Sequence, residues 1–304
     1  AKINQLPFTA TVHTFGDDPS TWQDVFNKVF GSVKNQSLSI GVESTHLRFL
    51  EFDYLQKALP QASFVSAEST FGNLRMQKDE TEISCMKKAV QIAQKALQAT
   101  MPVIKSGISE QDVASELVLQ LYKAGSAPEL PFMPILASGP NSANPHAVPS
   151  NRKLVRGDLL VIDWGAAYED YFSDLTRTFA LGECSPELKK IHDTVKAANA
   201  AGRAAGKPGV AAGVVDSAAR DVIEQAGYGR YFTHRTGHGL GMEAHEPPYM
   251  FGGNQLKLEK GMTYTVEPGI YLPELGGVRI EDDMVITENG CESLSDFPRE
   301  LKIL

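Results

Sequence analysis

The stretch His234-Arg235-Thr236-Gly237-His238-Gly239-Leu240-Gly241-Met242-Glu243-Ala244-His245-Glu246-Pro247-Pro248 holds three of the chain's seven histidines. Gly237, Gly239 and Gly241 alternate with larger residues, a pattern that neither helix nor strand propensity favours. It suits a backbone that passes close to another group. Alone, it would equally describe a Gly-rich loop with solvated histidines. Four carboxylates elsewhere, placed as two matched pairs, decide between these readings.

Asp163 follows Leu159-Leu160-Val161-Ile162, a run that reads as a buried strand. Asp174 sits in Phe172-Ser173-Asp174-Leu175-Thr176-Arg177-Thr178, and a hairpin turning near Tyr168 to Asp170 would set the two aspartates face to face. Glu267, after Tyr264-Thr265-Val266, and Glu281, after Val278-Arg279-Ile280, repeat the arrangement around a turn at Pro273 to Gly277. A charge at the end of a buried strand is costly unless paired or bound to a cation. Four converging carboxylates raise one another's pKa and weaken the fold. Two divalent cations remove that conflict. Any one of these acids could be satisfied by backbone N–H groups or by Arg177 and Arg279; four at matched positions, with His238, point to metal.

Oxygen-rich ligation with one imidazole suits Mn²⁺, Co²⁺, Fe²⁺ or Zn²⁺, and no cysteine is placed for a thiolate site. Two such cations about 3.5–4 Å apart hold a bridging water, lower its pKa from about 15.7 towards about 7 and polarise a carbonyl. The reaction class implied is hydrolysis. No Gly-x-Ser-x-Gly elbow or catalytic-cysteine signature competes. Gly237-x-Gly239 lacks the strand–turn–helix setting of a dinucleotide site.

The totals agree. The 304 residues suit two domains, or one large domain with an appendage, and 42% apolar residues supply a sizeable core. A net charge of −8 argues against nucleic acid or an anionic membrane as partner. No apolar run approaches the roughly 20 residues of a bilayer span, and no secretory signal opens the chain. The start at Ala1 suggests that something upstream has been removed. Cys85, Cys184 and Cys291 read as reduced, packed thiols, so a cytoplasmic location is expected.

Along the chain, residues 1–75 read as a small α/β unit. It has strands at Phe8 to Phe15, Ser37 to Val42 and Ala62 to Ala67. Its helices are one capped by Ser20 and stopped by Gly31, and one over His46 to Leu59. A boundary falls at about Leu74 to Lys78. Asp79 then caps a long helix whose inner face is Ile83, Met86, Val90, Ala93 and Leu97, and Ser109 opens a second that stops at Gly125. Pro128 to Ser150 reads as irregular, and strands follow at Leu159 to Trp164 and Phe172 to Ala180. The order recurs: helices over Pro186 to Ala205 and Val210 to Ala226, an irregular stretch holding the histidine motif, then strands at Tyr264 to Tyr271 and Val278 to Thr287. Glu267 lies 104 residues after Asp163 (267 − 163), and Glu281 lies 107 after Asp174 (281 − 174). Such a repeat predicts two halves about an approximate twofold, with a site at their junction.

Asp163, Asp174, His238, Glu267 and Glu281, in this order and setting, resemble the ligand set of the pita-bread dinuclear metallopeptidases. That group includes methionine aminopeptidase, aminopeptidase P and proline dipeptidase. The run from His234 to Glu246 is similar to the signature of the two proline-specific members, with Ala244 where a β-branched residue is usual. The resemblance covers about Leu74 to the C-terminus. It implies an α+β pita-bread fold with duplicated α-α-β-β halves over 76–304, preceded by a shortened α/β domain over 1–75. The resemblance to full-length relatives implies that this first domain lacks its first half, which bears on substrate length and on the homodimer that the family suggests.

The resemblance also implies roles. Asp163 would chelate one metal, Asp174 and Glu281 would bridge two, and His238 and Glu267 would complete the other. Glu267 would also handle protons at the nucleophilic water. His245 would steady the tetrahedral intermediate, and His146 would lie near the scissile bond or leaving nitrogen. His234 and Arg279 would face the proline side, with Arg279 able to hold a carboxylate bidentately. Manganese is the first expectation for the two divalent ions, with cobalt, zinc or iron as alternatives. The activity implied is cleavage of the bond before proline in a di- or oligopeptide, with the dipeptidase favoured over aminopeptidase P. Methionine aminopeptidase, a creatinase-type amidinohydrolase and a non-catalytic binding module on the same fold fit the retained ligands and the motif less well.

Overall fold

The computed structural model describes residues 8–304; the segment around Ala1, on which the upstream reading rests, lies outside them. The chain divides between Gly72 and Asn73 into two compact units.

The first unit contains α1 (Trp22–Phe30), β1 (Ser39–Val42), α2 (Phe49–Ala58) and β2 (Ser63–Ser66), and α3 (Glu68–Met76) runs across the division. β1 and β2 pair in parallel, Ile40 opposite Phe64. Two expectations need correction. Residues 8–15 form no strand; instead the Phe15 ring packs on Trp22 and Phe26 at 5.9 and 6.0 Å between centroids. The cap is Asp18, not Ser20: its carboxylate accepts the Ser20 N–H, and a 3₁₀ turn starting at Pro19 leads into α1. α3 was not expected and occupies much of the stretch read as a boundary.

The second unit shows the repeat. Its first half runs α4 (Glu80–Thr100), α5 (Glu110–Ala124), β3 (Ile135–Ser138), β4 (Leu159–Trp164), β5 (Ala167–Tyr168), β6 (Tyr171–Phe172) and β7 (Leu175–Ala180). Its second runs α6 (Pro186–Ala205), α7 (Ala212–Gln225), β8 (Gly237–Gly239), β9 (Glu246–Met250), β10 (Thr263–Val266), β11 (Gly269–Leu272), β12 (Gly276–Arg279) and β13 (Asp282–Ile286), with β14 (Cys291–Ser293) and β15 (Lys302–Ile303) closing the chain. Both helices of the first pair open with capping boxes, Asp79 with Glu82 and Ser109 with Asp112, and α5 stops at Gly125 with φ 106°.

One sheet has the order β15-β7-β4-β3 and the other β14-β13-β10-β8-β9. β4 and β7 are extended by the β5–β6 ribbon as β10 and β13 are by β11–β12. Equivalent bridges tie each helix pair to its half, Ser109 to Lys153 and Ala211 to Lys257. The halves meet at an antiparallel bridge between Thr176 and Glu281, where the Glu281 N–H donates to the Thr176 carbonyl at 3.0 Å.

Two further corrections concern strands. Ile135–Ser138, within a stretch read as irregular, pairs with β4, because the prolines around it punctuate the strand without interrupting it. The histidine motif, also read as irregular, contributes β8 and begins β9. Its glycines serve sheet packing: a Cβ on Gly237 would lie 1.9 Å from the Thr265 carbonyl oxygen, and one on Gly239 2.2 Å from that of Pro247.

Leu97, Leu117, Leu121, Leu136, Ile162 and Trp164 form the core beneath α4 and α5, and the Trp164 indole N–H donates to the Ala93 carbonyl at 2.8 Å. Leu159, Ile191, Val195, Ile223, Ile270 and Val278 form a second core beneath α6 and α7. Cys85, Cys184 and Cys291 are free thiols, and among the described residues no helix is long and apolar enough to cross a membrane.

One buried ion pair joins the entrance of α4 to the start of β9. The Lys78 ammonium meets Glu246, their side chains 1% and 5% exposed. Breaking such a pair from one side leaves an uncompensated charge and costs about 3–5 kcal/mol, whereas replacing both members with apolar residues is often neutral. Lys78→Met should therefore lower the unfolding free energy at pH 8 by about that amount, and Lys78→Met combined with Glu246→Leu should regain most of it. A double-mutant cycle in urea checks this, and additive losses would show that the pair is not coupled.

Candidate metal centre

The ligand candidates arrive on the two hairpins and on β8. β4 is buried over its whole length, so its last residues carry Asp163 into the protein interior. Asp163 lies opposite Thr176 in the β4–β7 ladder. The two aspartates therefore do not face each other as expected, because Asp174 precedes the paired residues by one position. In the second hairpin, Val266 pairs with Asp282 and Gly269 with Arg279. The shared offset sets Glu267 opposite Glu281 in the gap between the two ladders.

Asp174, His238 and Glu281 bring one ligand atom each to within 4.8 Å of one another, all three buried. His238 Nε2 lies 3.7 Å from Asp174 Oδ2 and 3.5 Å from Glu267 Oε1. The His238 Nδ1–H donates to the Gly239 carbonyl at 3.0 Å. That bond fixes the tautomer and leaves the Nε2 lone pair directed at the carboxylates. Asp163 lies beside this group: one oxygen takes a 2.6 Å bond from Arg279, and the other is buried with no hydrogen-bond partner.

Burial pushes Asp174 and Glu281 well above the usual carboxylate range, and neighbouring carboxylates push them further, Glu281 first for Asp174 and Glu267 first for Glu281. Burial raises Asp163 too, against the opposing pull of Arg279. Glu267 is raised to about 7, chiefly by burial, and burial lowers His238 to about 3. An unpartnered Asp163 oxygen, an imidazole lone pair and mutually opposed carboxylates together make an oxygen-rich donor set that fits divalent cations.

Around this group the backbone is held by buried polar side chains. Asp216 accepts the Thr236 N–H and hydroxyl, and Arg220 donates to the Phe232 and His234 carbonyls. This fixes the strap before β8, whose Thr236 carbonyl takes the Glu267 N–H at 2.7 Å. Glu110 accepts from Ser138, Asn141 and Ser150, securing both ends of the loop that carries His146. Arg177 links the hairpins, with bonds to the Thr176 and Glu281 carbonyls and to Asp282. Those contacts and Arg299 hold Asp282 well below the usual carboxylate range, against its burial.

A cavity of about 650 Å³ opens onto the centre and is lined by His146, His234, His238 and His245 together with the five acidic and basic groups above. The His245 ring lies 4.1 Å from that of His238 and remains exposed. His146 is exposed at the rim. His234, lowered to about 4 by burial, donates from Nδ1 to the Arg235 carbonyl and accepts at Nε2 from the Tyr271 hydroxyl at 2.8 Å. Arg279 differs from expectation. Its guanidinium is directed at Thr176, the Pro145 carbonyl, Tyr271 and Asp163, which leaves no open bidentate fork for a substrate carboxylate. Sequence reasoning missed Tyr271, which joins His234 to Arg279, and Thr176, whose hydroxyl donates to Glu281 at 2.6 Å. No local signal marks either residue, since each partner lies far away in sequence or across a ladder.

The same arrangement of chain occurs in known proteins. The family model described as metallopeptidase family M24 matches residues 84–288. The Xaa-Pro dipeptidase of Pyrococcus horikoshii is 41% identical over 91% of this chain and 78% of its own length. Among solved structures, an Xaa-Pro dipeptidase from Bacillus anthracis superposes with a TM-score of 0.87 at 40% identity, covering 92% of this chain and 79% of that one. An X-Pro aminopeptidase from Thermotoga maritima gives 0.85 at 36% identity, with 96% and 81% covered. Together with the duplicated halves and the buried acids, these likenesses make the fold the pita-bread fold. The chain belongs to metallopeptidase family M24.

Proposed function

We propose that the protein is an Xaa-Pro dipeptidase that uses two divalent cations, manganese first, at the Asp174–His238–Glu281 centre. The observation that carries this reading is the set of buried, mutually repelling carboxylates around an imidazole of fixed tautomer. Similarity to the Xaa-Pro dipeptidases of P. horikoshii and B. anthracis supplies the substrate class. In this proposal Asp163 would hold one ion, His238 and Glu267 would hold the other, and Asp174 and Glu281 would serve both. Residues 76–304 act as the catalytic domain, and 1–75 as part of an α/β domain that contributes to a homodimer. The free thiols suit a cytoplasmic setting.

When bound, the cations supply Lewis-acid activation of water and of the scissile carbonyl. The residues supply the rest. Glu267, a carboxylate beside His238 in the cavity lining, would take a proton from the attacking water and pass it on. His245 is exposed to the cavity beside His238 and can donate to the oxygen on which charge develops. His146, an exposed residue of the cavity lining, would meet the leaving nitrogen. The Tyr271–Arg279 connection holds His234 and Asp163 in place, so Arg279 acts by orienting a ligand.

Purified protein supplied with Mn²⁺ should hydrolyse Ala-Pro faster than Ala-Pro-Ala. Preference for the tripeptide would favour the aminopeptidase, a reading supported by the likeness to the T. maritima enzyme. Glu267→Ala should lower kcat by about 10³-fold or more, whereas near-normal turnover with two ions bound would overturn the dinuclear model.

Chelation should make stability strongly pH-dependent. The folded pKa values of Asp174, Glu281 and Glu267 lie above their unfolded values. Their contribution is therefore complete below the unfolded carboxylate range and is lost as pH rises, through about 7 for Glu267. Metal-free protein should melt at a lower temperature at pH 8 than at pH 5.5, and the gain on adding Mn²⁺ should be larger at pH 8. Melting curves with and without chelator measure both.

A further inference from the structure

The two strands that carry Glu267 and Glu281 part from each other where the acids stand. Val266 pairs with Asp282 at the end of one ladder, and Gly269 with Arg279 at the start of the next. Between those pairs the Glu267 and Glu281 N–H groups turn away, to the Thr236 and Thr176 carbonyls. The carbonyls just before each acid, those of Val266 and Ile280, are met by a side chain from α6.

That side chain is Asn199, which is fully buried and no part of the cavity lining. Its Nδ2 lies 3.0 Å from the Val266 carbonyl, 3.3 Å from that of Ile280 and 3.0 Å from Asp282 Oδ2. The Arg203 Nε–H donates to Asn199 Oδ1 at 2.8 Å, which sets the amide with its nitrogen toward the strands. Three residues on, a Cβ at Gly202 would lie 2.8 Å from Val266 Cγ1. The helix therefore runs close enough to β10 for a short side chain to reach both backbones.

The first half makes its helix-to-sheet bond the other way. Ala93 stands at the same place in α4 as Asn199 in α6, 13 residues after the first (93 − 80 and 199 − 186). There the Trp164 indole donates to the Ala93 backbone carbonyl, and the side chain is apolar. Burying an amide is costly unless its bonds are made, and Ala93 carries no such cost. What the amide at Asn199 adds is a link between two strands at the residues preceding two opposed acids. Arg177 complements it by holding the Thr176 and Glu281 carbonyls, so the peptide groups on both sides of Glu281 are fixed.

We propose that Asn199 is a positioning residue for the metal centre: by joining the carbonyls before Glu267 and Glu281 it sets the spacing of the two carboxylates. Carboxylates brought together repel one another. Strands free to splay would relieve that repulsion and lose the spacing that a pair of cations needs. The proposal rests on the dinuclear reading above.

The test titrates Mn²⁺ into metal-free protein by calorimetry, after melting curves have shown each variant folded. The variants are Asn199→Ala, Asn199→Ser and, as a control on the same buried helix face, Val195→Ala. Loss of a group that orients metal ligands should weaken at least one of the two binding steps about 10- to 100-fold in Asn199→Ala. Asn199→Ser keeps a hydroxyl donor and leaves room for a bridging water, so it should regain part of that loss, and it decides the matter if Asn199→Ala does not fold. Val195→Ala removes core methyl groups without touching either carbonyl; it should lower the melting temperature and leave both binding steps unchanged. Both steps staying within about threefold of the unaltered protein in the Asn199 variants, or an equal loss in Val195→Ala, would overturn the proposal. Unaltered protein that takes up fewer than two Mn²⁺ ions would overturn the dinuclear reading, and this proposal with it.

Discussion

Everything at the centre of this molecule depends on one electrostatic constraint: carboxylates are brought together where burial and their neighbours both oppose ionisation. Asp174 and Glu281 are raised by burial and by the surrounding acids. The fold imposes the encounter because each acid ends or interrupts a strand whose other residues are core, as with Asp163 after Leu160 and Ile162. Relief comes in small, specific amounts. Arg279 meets Asp163 and Thr176 donates to Glu281, whereas the Asp283 carboxylate, which accepts the Asp174 backbone N–H at 3.0 Å, adds to the repulsion on Asp174. None of these contacts neutralises the group as a whole, and that residue of charge is what a cation would meet.

A site of this kind works only if its members are held before substrate arrives. The structure does this with buried polar side chains that each collect several backbone groups. Glu110 gathers both ends of the His146 loop, and Asp216 with Arg220 gathers the strap from Phe232 to Thr236. Lys78 and Glu246 anchor the turn that carries His245. Each is an internal charge that meets its partners only in the folded state, so the positioning of His146, His234 and His245 is tied to folding itself.

The long helices, the duplication and the acids at the hairpins were legible because they are carried by local periodicity and spacing. α6 runs over Pro186–Ala205, the bounds read from its pattern. Register was less legible. A hairpin turn near Tyr168 to Asp170 agrees with the left-handed Glu169 and Asp170, φ 49° and 65°, yet it sets Asp163 opposite Thr176 and not Asp174. β3 was hidden because prolines on both sides resemble a loop, while its strand character comes from pairing with β4. Arg279 reads from sequence as a free cation because the partners that occupy it, at Pro145 and Asp163, lie more than 100 positions away. Lys78 was missed for the same reason, its partner Glu246 lying 168 positions on, and Tyr271 because it meets Arg279 across a ladder and His234 on a separate strap.

The two halves share an architecture, but only one supplies an imidazole. β3 in the first half occupies the place that β8 occupies in the second, each beside the strand that leads to an acid. β3 carries Ile135, Leu136, Ala137 and Ser138, ordinary side chains for a packed strand. β8 carries Gly237, His238 and Gly239, and the glycines explain the difference. Without Cβ atoms they let β8 lie against the carbonyls of Thr265 and Pro247 at distances that no side chain allows. That close approach sets His238 Nε2 within 3.5 to 3.7 Å of Glu267 and Asp174 while Nδ1 reaches the Gly239 carbonyl. The glycine spacing in the motif is therefore a statement about distance. A bulkier strand would keep the histidine and lose its reach to the acids.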